Sequence, residues 1–202
     1  MTRDWVVIVP VKRADAGKSR LATDDTRPAL ARAIALDTIA AAAACAEVAR
    51  VIVVTEDPVV AREASALPGV DCVPDGTARG LNAALAVGAA AAGAGAPRAA
   101  LLGDLPALRP AELALALRAA ATLPRAVVAD AEGTGSTLVT ARAGLALETA
   151  FGADSFARHV ELGAVPLSLP DAPSVHHDVD TPAQLAHAAS LGLAPRTRAL
   201  LP

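Results

Sequence analysis

Short runs of β-branched residues alternate with longer alanine-rich stretches along this chain, the pattern expected of strand–helix–strand units built on a mainly parallel sheet. The apolar runs predict strands at 5–9, 51–55, 70–73, 99–102, 126–129, 137–140 and 165–169. The stretches between them predict helices near 27–46, 58–66, 80–93, 110–122, 155–162 and 182–191. Neither an internal repeat nor a low-complexity linker interrupts the alternation. In sheets of this kind ligands bind beyond the carboxyl ends of the strands. Three such junctions carry unusual residues: the basic loop after the first strand, GDLPAL at 103–108 after the fourth, and DVD at 178–180 near the end.

With 202 residues the chain suits one domain, 1–202, able to enclose a core without disulfides or a structural metal. Alanine supplies much of the 53% hydrophobic content, so the value points to helices packed on a sheet and not to a membrane. The longest apolar stretch, 81–97, is broken by Gly88, Gly93 and Gly95. Strand-like sequence begins at Trp5 straight after Asp4, without the pattern of a signal peptide, and a cytoplasmic location is expected. Cys45 and Cys72 stand alone and outside any metal-binding spacing, which makes them core residues. A net charge of −3, with Trp5, Phe151 and Phe156 as the only aromatics, leaves neither a field nor a stacking platform for nucleic acid. Against that mildly acidic background Lys12, Arg13, Lys18 and Arg20 cluster within nine positions, a local anion site.

The basic loop PVKRADAGKSRL, 10–21, contains GKS at 17–19. A Walker A loop needs glycine five positions before Gly17, where Lys12 stands, so a P-loop kinase is disfavoured. A glycine-containing loop with four cations at a strand end can still hold a triphosphate, with Lys12 and Lys18 its principal cations. Asp104 sits where a carboxylate at a strand end faces the ligand crevice, though an aspartate there can also close a turn on its own backbone. Asp178 and Asp180, one residue apart, project to the same side of an extended segment, where hard oxygens can share Mg²⁺. They could instead cap the following helix, but Thr181 and Gln184 make a capping box with Pro182 at the first helical position and free the aspartates for metal. His176 and His177 read as surface loop residues.

GTGST at 133–137 has the composition of an amide cradle for a carboxylate or phosphate, and equally that of a hairpin turn. Gly152 and Ser155 mark a helix start whose amides would favour an anion. Gly80 and Asn82 in GLNAAL open another helix, with Asn82 placed to meet a base or ribose edge or to bond locally.

Taken in order, PVKRADAGKSRL, GLNAAL, GDLPAL, GTGST, FGADSFARH and DVDTPAQL resemble the phosphoenolpyruvate or 2-phospho-lactate guanylyltransferases that supply the side-chain precursor of the deazaflavin coenzyme F420. The resemblance covers nearly the whole chain. It implies a three-layer, Rossmann-like α/β fold of the nucleotide-diphospho-sugar transferase type with a mixed, mainly parallel sheet. It also implies Mg²⁺, GTP and a phosphorylated three-carbon acid as ligands, phosphoenolpyruvate by overall similarity, with 2-phospho-lactate and 3-phosphoglycerate as alternatives. By the same resemblance Asp104, Asp178 and Asp180 bind the metal, and Thr137, Gly152 and Ser155 hold the phospho-acid. Lys12 and Lys18 are the catalytic cations, joined at the nucleotide by Arg20, Gly80 and Asn82. A homodimer and docking to the downstream deazaflavin transferase are partners the resemblance admits. The chain departs from the family pattern at Asp154, where a small neutral residue is expected between Gly152 and Ser155. A sugar-nucleotide transferase reading of DVD is disfavoured because that motif normally follows a central strand. A molybdopterin-type nucleotidyltransferase would carry LAGG where VPVK stands at 9–12, and a binding module without chemistry would not need all three aspartates and both lysines.

Overall fold

The computed structural model describes residues 4–13 and 27–201. The predicted positions Lys18 and Arg20 lie outside them. Seven strands form one sheet: β1 (Trp5–Val11), β2 (Val48–Thr55), β3 (Val70–Val73), β4 (Arg98–Leu101), β5 (Arg125–Ala129), β6 (Ser136–Ala141) and β7 (Val165–Pro166), in the spatial order β3-β2-β1-β4-β6-β5-β7. Pairings β1–β2, β2–β3, β1–β4 and β5–β7 are parallel, whereas β6 runs antiparallel to both β4 and β5. The fold expectation therefore holds, with one reversed strand inside an otherwise parallel sheet.

The helices are α1 (Arg27–Ala43), α2 (Pro58–Ala64), α3 (Leu81–Ala92), α4 (Pro110–Ala120), α5 (Ser155–Glu161), α6 (Pro182–Leu191) and α7 (Pro195–Arg198), with a 3-10 turn at Pro173–Val175. Alternation along β1 divides the core. Val7 and Val9 join Leu36, Ile39, Val60, Leu113 and Leu117 on the face covered by α1, α2 and α4. Val6 and Ile8 join Ala84, Leu85 and Phe151 on the face covered by α3 and the segment before α5. A strand buried on both faces requires an unbroken apolar run, and β1 is buried from Trp5 to Pro10. Close approach of α3 depends on Gly88, where a Cβ would lie 2.4 Å from Ile8 Cγ2.

Pro10 is the exception in this central strand. The Val6 N–H bonds Pro97 O on the β4 side. By the two-residue repeat Pro10 faces that side too, beyond Ile8–Ala100, where pairing with β4 has ended, so its missing N–H costs no ladder bond. Its carbonyl instead meets Gly103, where a Cβ would approach within 3.0 Å. The chain leaves β1 toward β2 on one side and returns at β4 on the other, so the crevice between their carboxyl ends is the topological switch point of the sheet.

The last predicted strand is shorter than 165–169. Only Val165–Pro166 pairs as a strand at the sheet edge, with one further bond from Leu167 N–H to Val127 O at 2.9 Å. The short helix α7 carries no sequence signal beyond Pro195 at its first turn; it is held by the buried Asp37 carboxylate, which accepts from the Thr197 N–H at 2.7 Å and the Arg196 N–H at 3.2 Å. No helix among the described residues is long and apolar enough to cross a membrane. Cys45 and Cys72 are both free thiols.

Candidate active site

A cleft of about 440 Å³ opens at the switch point. Pro10, Val11, Lys12 and Arg13 line it from the end of β1, Leu102, Gly103 and Asp104 from the end of β4, and Gly135 and Ser136 from the start of β6. Phe151, Gly152 and Ser155 close another side, and Asp178 and Asp180 complete the wall. Because β6 is reversed, its first residue comes to the same end of the sheet as the last residues of β4 and β5. That reversal brings Ser136 to the crevice.

One backbone bond assembles the acidic wall. The Val179 N–H donates to Asp104 O at 3.0 Å, pinning the DVD segment against the loop after β4. Val179 itself is fully buried with Leu30, Ile34, Leu185 and Ala188. In an extended segment its neighbours must point the other way, so Asp178 and Asp180 join Asp104 at the cleft. The capping box of α6 forms as the sequence predicts: Gln184 Oε1 accepts the Thr181 N–H at 3.0 Å and Thr181 Oγ1 accepts the Gln184 N–H at 3.3 Å. Neither aspartate caps the helix.

Asp130 and Glu132, which sequence reasoning passed over, bring two more carboxylates to this wall. One ligand atom from each of Asp130, Glu132 and Asp178 lies within 4.8 Å of the others. Asp178 Oδ1 is buried without a hydrogen bond. Burial above all, then the negative charges of Asp104, Asp130 and Asp180, pushes the Asp178 carboxyl up to about 7. A buried oxygen without a donor, surrounded by like charges and hard oxygen ligands, is what a divalent cation such as Mg²⁺ relieves, and the residues present fit such an ion.

Of the two readings that the composition of GTGST allowed, the hairpin turn is the one that forms. It is the hairpin between β5 and β6, and its amides wrap the protein's own Asp130: Thr134 N–H and Gly135 N–H donate to the two carboxylate oxygens at 3.0 and 2.7 Å. Gly135 is required there, since a Cβ would fall 2.2 Å from Asp130 Oδ2. The Thr137 hydroxyl is buried and donates to Val175 O at 2.6 Å, and Ser136, one residue earlier, lines the cleft.

The start of α5 also departs from expectation. The Ser155 N–H bonds Gly152 O and the Phe156 N–H bonds Thr134 O, so two of the amides expected to meet an anion already have partners. Gly152 sits at φ 126, and Asp154 occupies the left-handed region at φ 53, the sole non-glycine to do so among the described residues. The Asp154 side chain makes no capping bond. The Arg158 guanidinium lies over Gly152, within 3.7 Å of where a Cβ would stand, a cation near the cleft that the sequence reading did not single out.

Of the two roles the sequence left open for Asn82, the structure displays the bonding within the protein. Its Nδ2 donates to Phe151 O at 3.0 Å and its Oδ1 accepts the Phe151 N–H at 2.9 Å, clasping the segment that leads to Gly152. Gly80, at φ 90, precedes α3 without a side-chain cap. His159 holds the same segment from beneath: fully buried in α5, its Nε2 accepts the Ala150 N–H at 2.8 Å and its Nδ1 lies 3.0 Å from Ser136 Oγ. His176 and His177 turn their Nδ1 atoms to backbone carbonyls of Ala129 and Pro173, each at 2.8 Å, and the His177 ring stacks on His187.

The sequence profile of the family described as guanylyl transferase CofC like matches residues 5–189. Among curated proteins, the phosphoenolpyruvate guanylyltransferase of Salinispora arenicola is 52% identical over 99% of this chain and 94% of its own. That of Streptomyces coelicolor is 53% identical over 97% of this chain and 95% of its own. A crystal structure from Desulfovibrio desulfuricans, described as a nucleotide-diphospho-sugar transferase, superposes with a TM-score of 0.62 at 15% identity, covering 94% of this chain and 97% of that one; it shares the fold.

Proposed function

The chain belongs to the guanylyl transferase CofC-like family, and from that membership we propose that it transfers the guanylyl group of GTP to the phosphate of phosphoenolpyruvate, releasing pyrophosphate, as a step of F420 side-chain synthesis. The observation that carries the reading is the pairing, across one cleft at the switch point, of an acidic wall of Asp104, Asp178 and Asp180 with the cations Lys12 and Arg13.

An oxygen of the acceptor phosphate attacks the α-phosphorus of GTP. A new phosphorus–oxygen bond forms, the bond to the bridging oxygen of the β-phosphate breaks, and pyrophosphate leaves with that electron pair. The second ionisation of a phosphate monoester lies near ~6, so the attacking oxygen is already charged and needs no general base. Consistent with this, the one fully buried histidine beside the cleft, His159, has both ring nitrogens engaged within the protein. What the reaction needs is relief of repulsion between two anions. Asp104, Asp178 and Asp180 would hold Mg²⁺, and an ion there would neutralise phosphate charge and support the leaving group. Lys12, at the mouth of β1, supplies positive charge to the triphosphate, and Lys18 and Arg20 are assigned to the same task. Gly152 and Ser155, with the strand start at Ser136 and Thr137, form the subsite for the acid.

The test is pyrophosphate release from GTP and Mg²⁺ with phosphoenolpyruvate, 2-phospho-lactate or 3-phosphoglycerate offered separately, and Asp104→Ala as the blank. Release with phosphoenolpyruvate that falls at least about a hundredfold in the blank is expected. Release with another acid alone would replace the acceptor, and release unaffected by Asp104→Ala would overturn the metal assignment.

A further inference from the structure

Ser136 and His159 form a buried pair that the reaction chemistry above does not use. Ser136 lines the cleft although it is only 3% exposed, and His159 beside it is wholly enclosed. The protonation state of the ring follows from its partners. Ala150 N–H can only donate, so Nε2, which receives it at 2.8 Å, must carry a lone pair. The proton of the neutral imidazole then sits on Nδ1 and is donated to Ser136 Oγ, 3.0 Å away. Burial first, then the nearby Arg158 charge, lowers the His159 pKa to about 4, so the ring keeps this single tautomer at neutral pH. The edge of the ring is fixed against Phe151, with centroids 4.8 Å apart and planes at 70°.

The consequence falls on the serine. A hydroxyl has one proton to donate and two lone pairs to accept with, and here the histidine takes one of the lone pairs and leaves the proton free to donate. Its own proton goes to no other residue among those described, and the cleft is the open direction. A hydroxyl held in this way is a donor toward the cleft, suited to an anionic oxygen. We propose that Ser136 donates a hydrogen bond to a carboxylate or phosphate oxygen of the acid substrate, and that His159, through its Nδ1–H tautomer, is the positioning residue that presets the hydroxyl as a donor. The same ring, through Ala150, ties this donor to the segment carrying Gly152, so the two sides of the acid subsite are held by one side chain.

This inference rests on the phosphoenolpyruvate reading, and steady-state kinetics with both substrates varied separates the two. Ser136→Ala is expected to raise the KM for phosphoenolpyruvate by about tenfold to a hundredfold, the effect of losing a bond to a charged group, with kcat and the KM for GTP within about threefold of the parent. His159→Asn places an amide N–H where Nδ1 stood but gives up the bond to Ala150, and should raise the acid KM less than Ser136→Ala does. His159→Gln can reach Ala150 with its carbonyl but has no donor for Ser136, and should behave like Ser136→Ala. An active parent enzyme with an unchanged acid KM in Ser136→Ala overturns the inference and leaves the functional reading standing. Equal rises in both KM values, or Asn and Gln variants that behave alike, overturn it as well. A parent enzyme inactive with every acid overturns the functional reading first and the inference with it.

Discussion

Asp178→Asn should make the metal-free protein more stable while abolishing its turnover. In the folded chain the Asp178 carboxyl titrates at about 7, against an ordinary value of 3.8. Being raised, it contributes stability that is fully present below pH 3.8 and is lost as pH rises through 7, because the unfolded chain ionises the group freely and the folded one does not. At about 1.4 kcal/mol per pH unit, the separation gives a ceiling of about 4 kcal/mol for the cost of charging Asp178 above pH 7, and the partial exposure of the residue brings the expected value nearer 2 kcal/mol. Asparagine keeps the shape, removes the charge and offers an amide donor to the neighbouring carboxylates. Urea denaturation in a chelator at pH 5 and pH 8 reads the difference directly. The variant should gain about 2 kcal/mol over the parent at pH 8 and roughly a third of that at pH 5. Added Mg²⁺ should stabilise the parent and leave the variant almost unmoved, since a ligand that binds only the folded state raises stability by mass action. A variant no more stable than the parent at pH 8 without metal would refute the reasoning, because it would mean that burial and the neighbouring carboxylates do not make the Asp178 charge costly in the fold.

The opposite pH dependence is expected from His159. Its folded value of about 4 lies below the ordinary 6.5, so its contribution is fully present above pH 6.5 and is lost as pH falls toward 4, up to about 3 kcal/mol; denaturation midpoints from pH 7 to 4 in the Asp178→Asn background should show an acid limb that His159→Gln flattens. Removing the clasp on Phe151 by Asn82→Ala should raise the KM for the acid more than that for GTP and cost about 1–2 kcal/mol of stability, since two backbone groups of Phe151 lose their partners. A selective rise in the KM for GTP would instead place Asn82 at the nucleotide.

Why the strands and the acidic wall could be read from the sequence, while much of the acid subsite could not, comes down to how far apart the determinants lie. The apolar runs in β1, β2 and β4 carry their own signal, because a strand buried on both faces must be apolar along its buried length, and helix boundaries such as Pro110, Pro182 and the Thr181–Gln184 box are decided within four residues. The two aspartates of DVD could be set on one side by spacing alone. Their convergence with Asp104 depends on the Val179 amide bonding a carbonyl seventy-five residues earlier, a contact that only the family pattern anticipated. GTGST left two readings open for a complementary reason. Glycine and hydroxyl content announces free amides but not what they will bind, and here Asp130, three residues before the first glycine, captures them ahead of any ligand. Ser136 and His159 entered the sequence reading only as members of GTGST and FGADSFARH, because neither has a signature of its own: one is the first residue of a strand, the other a buried histidine in a seven-residue helix. What makes the serine a fixed donor is the reversal of β6, which carries it to the cleft, together with Ala150, whose backbone amide decides which nitrogen of a ring nine residues away carries the proton. Local chemistry in this protein selects candidate groups, and long-range backbone bonds select which of them face the ligand and in what hydrogen-bonding state.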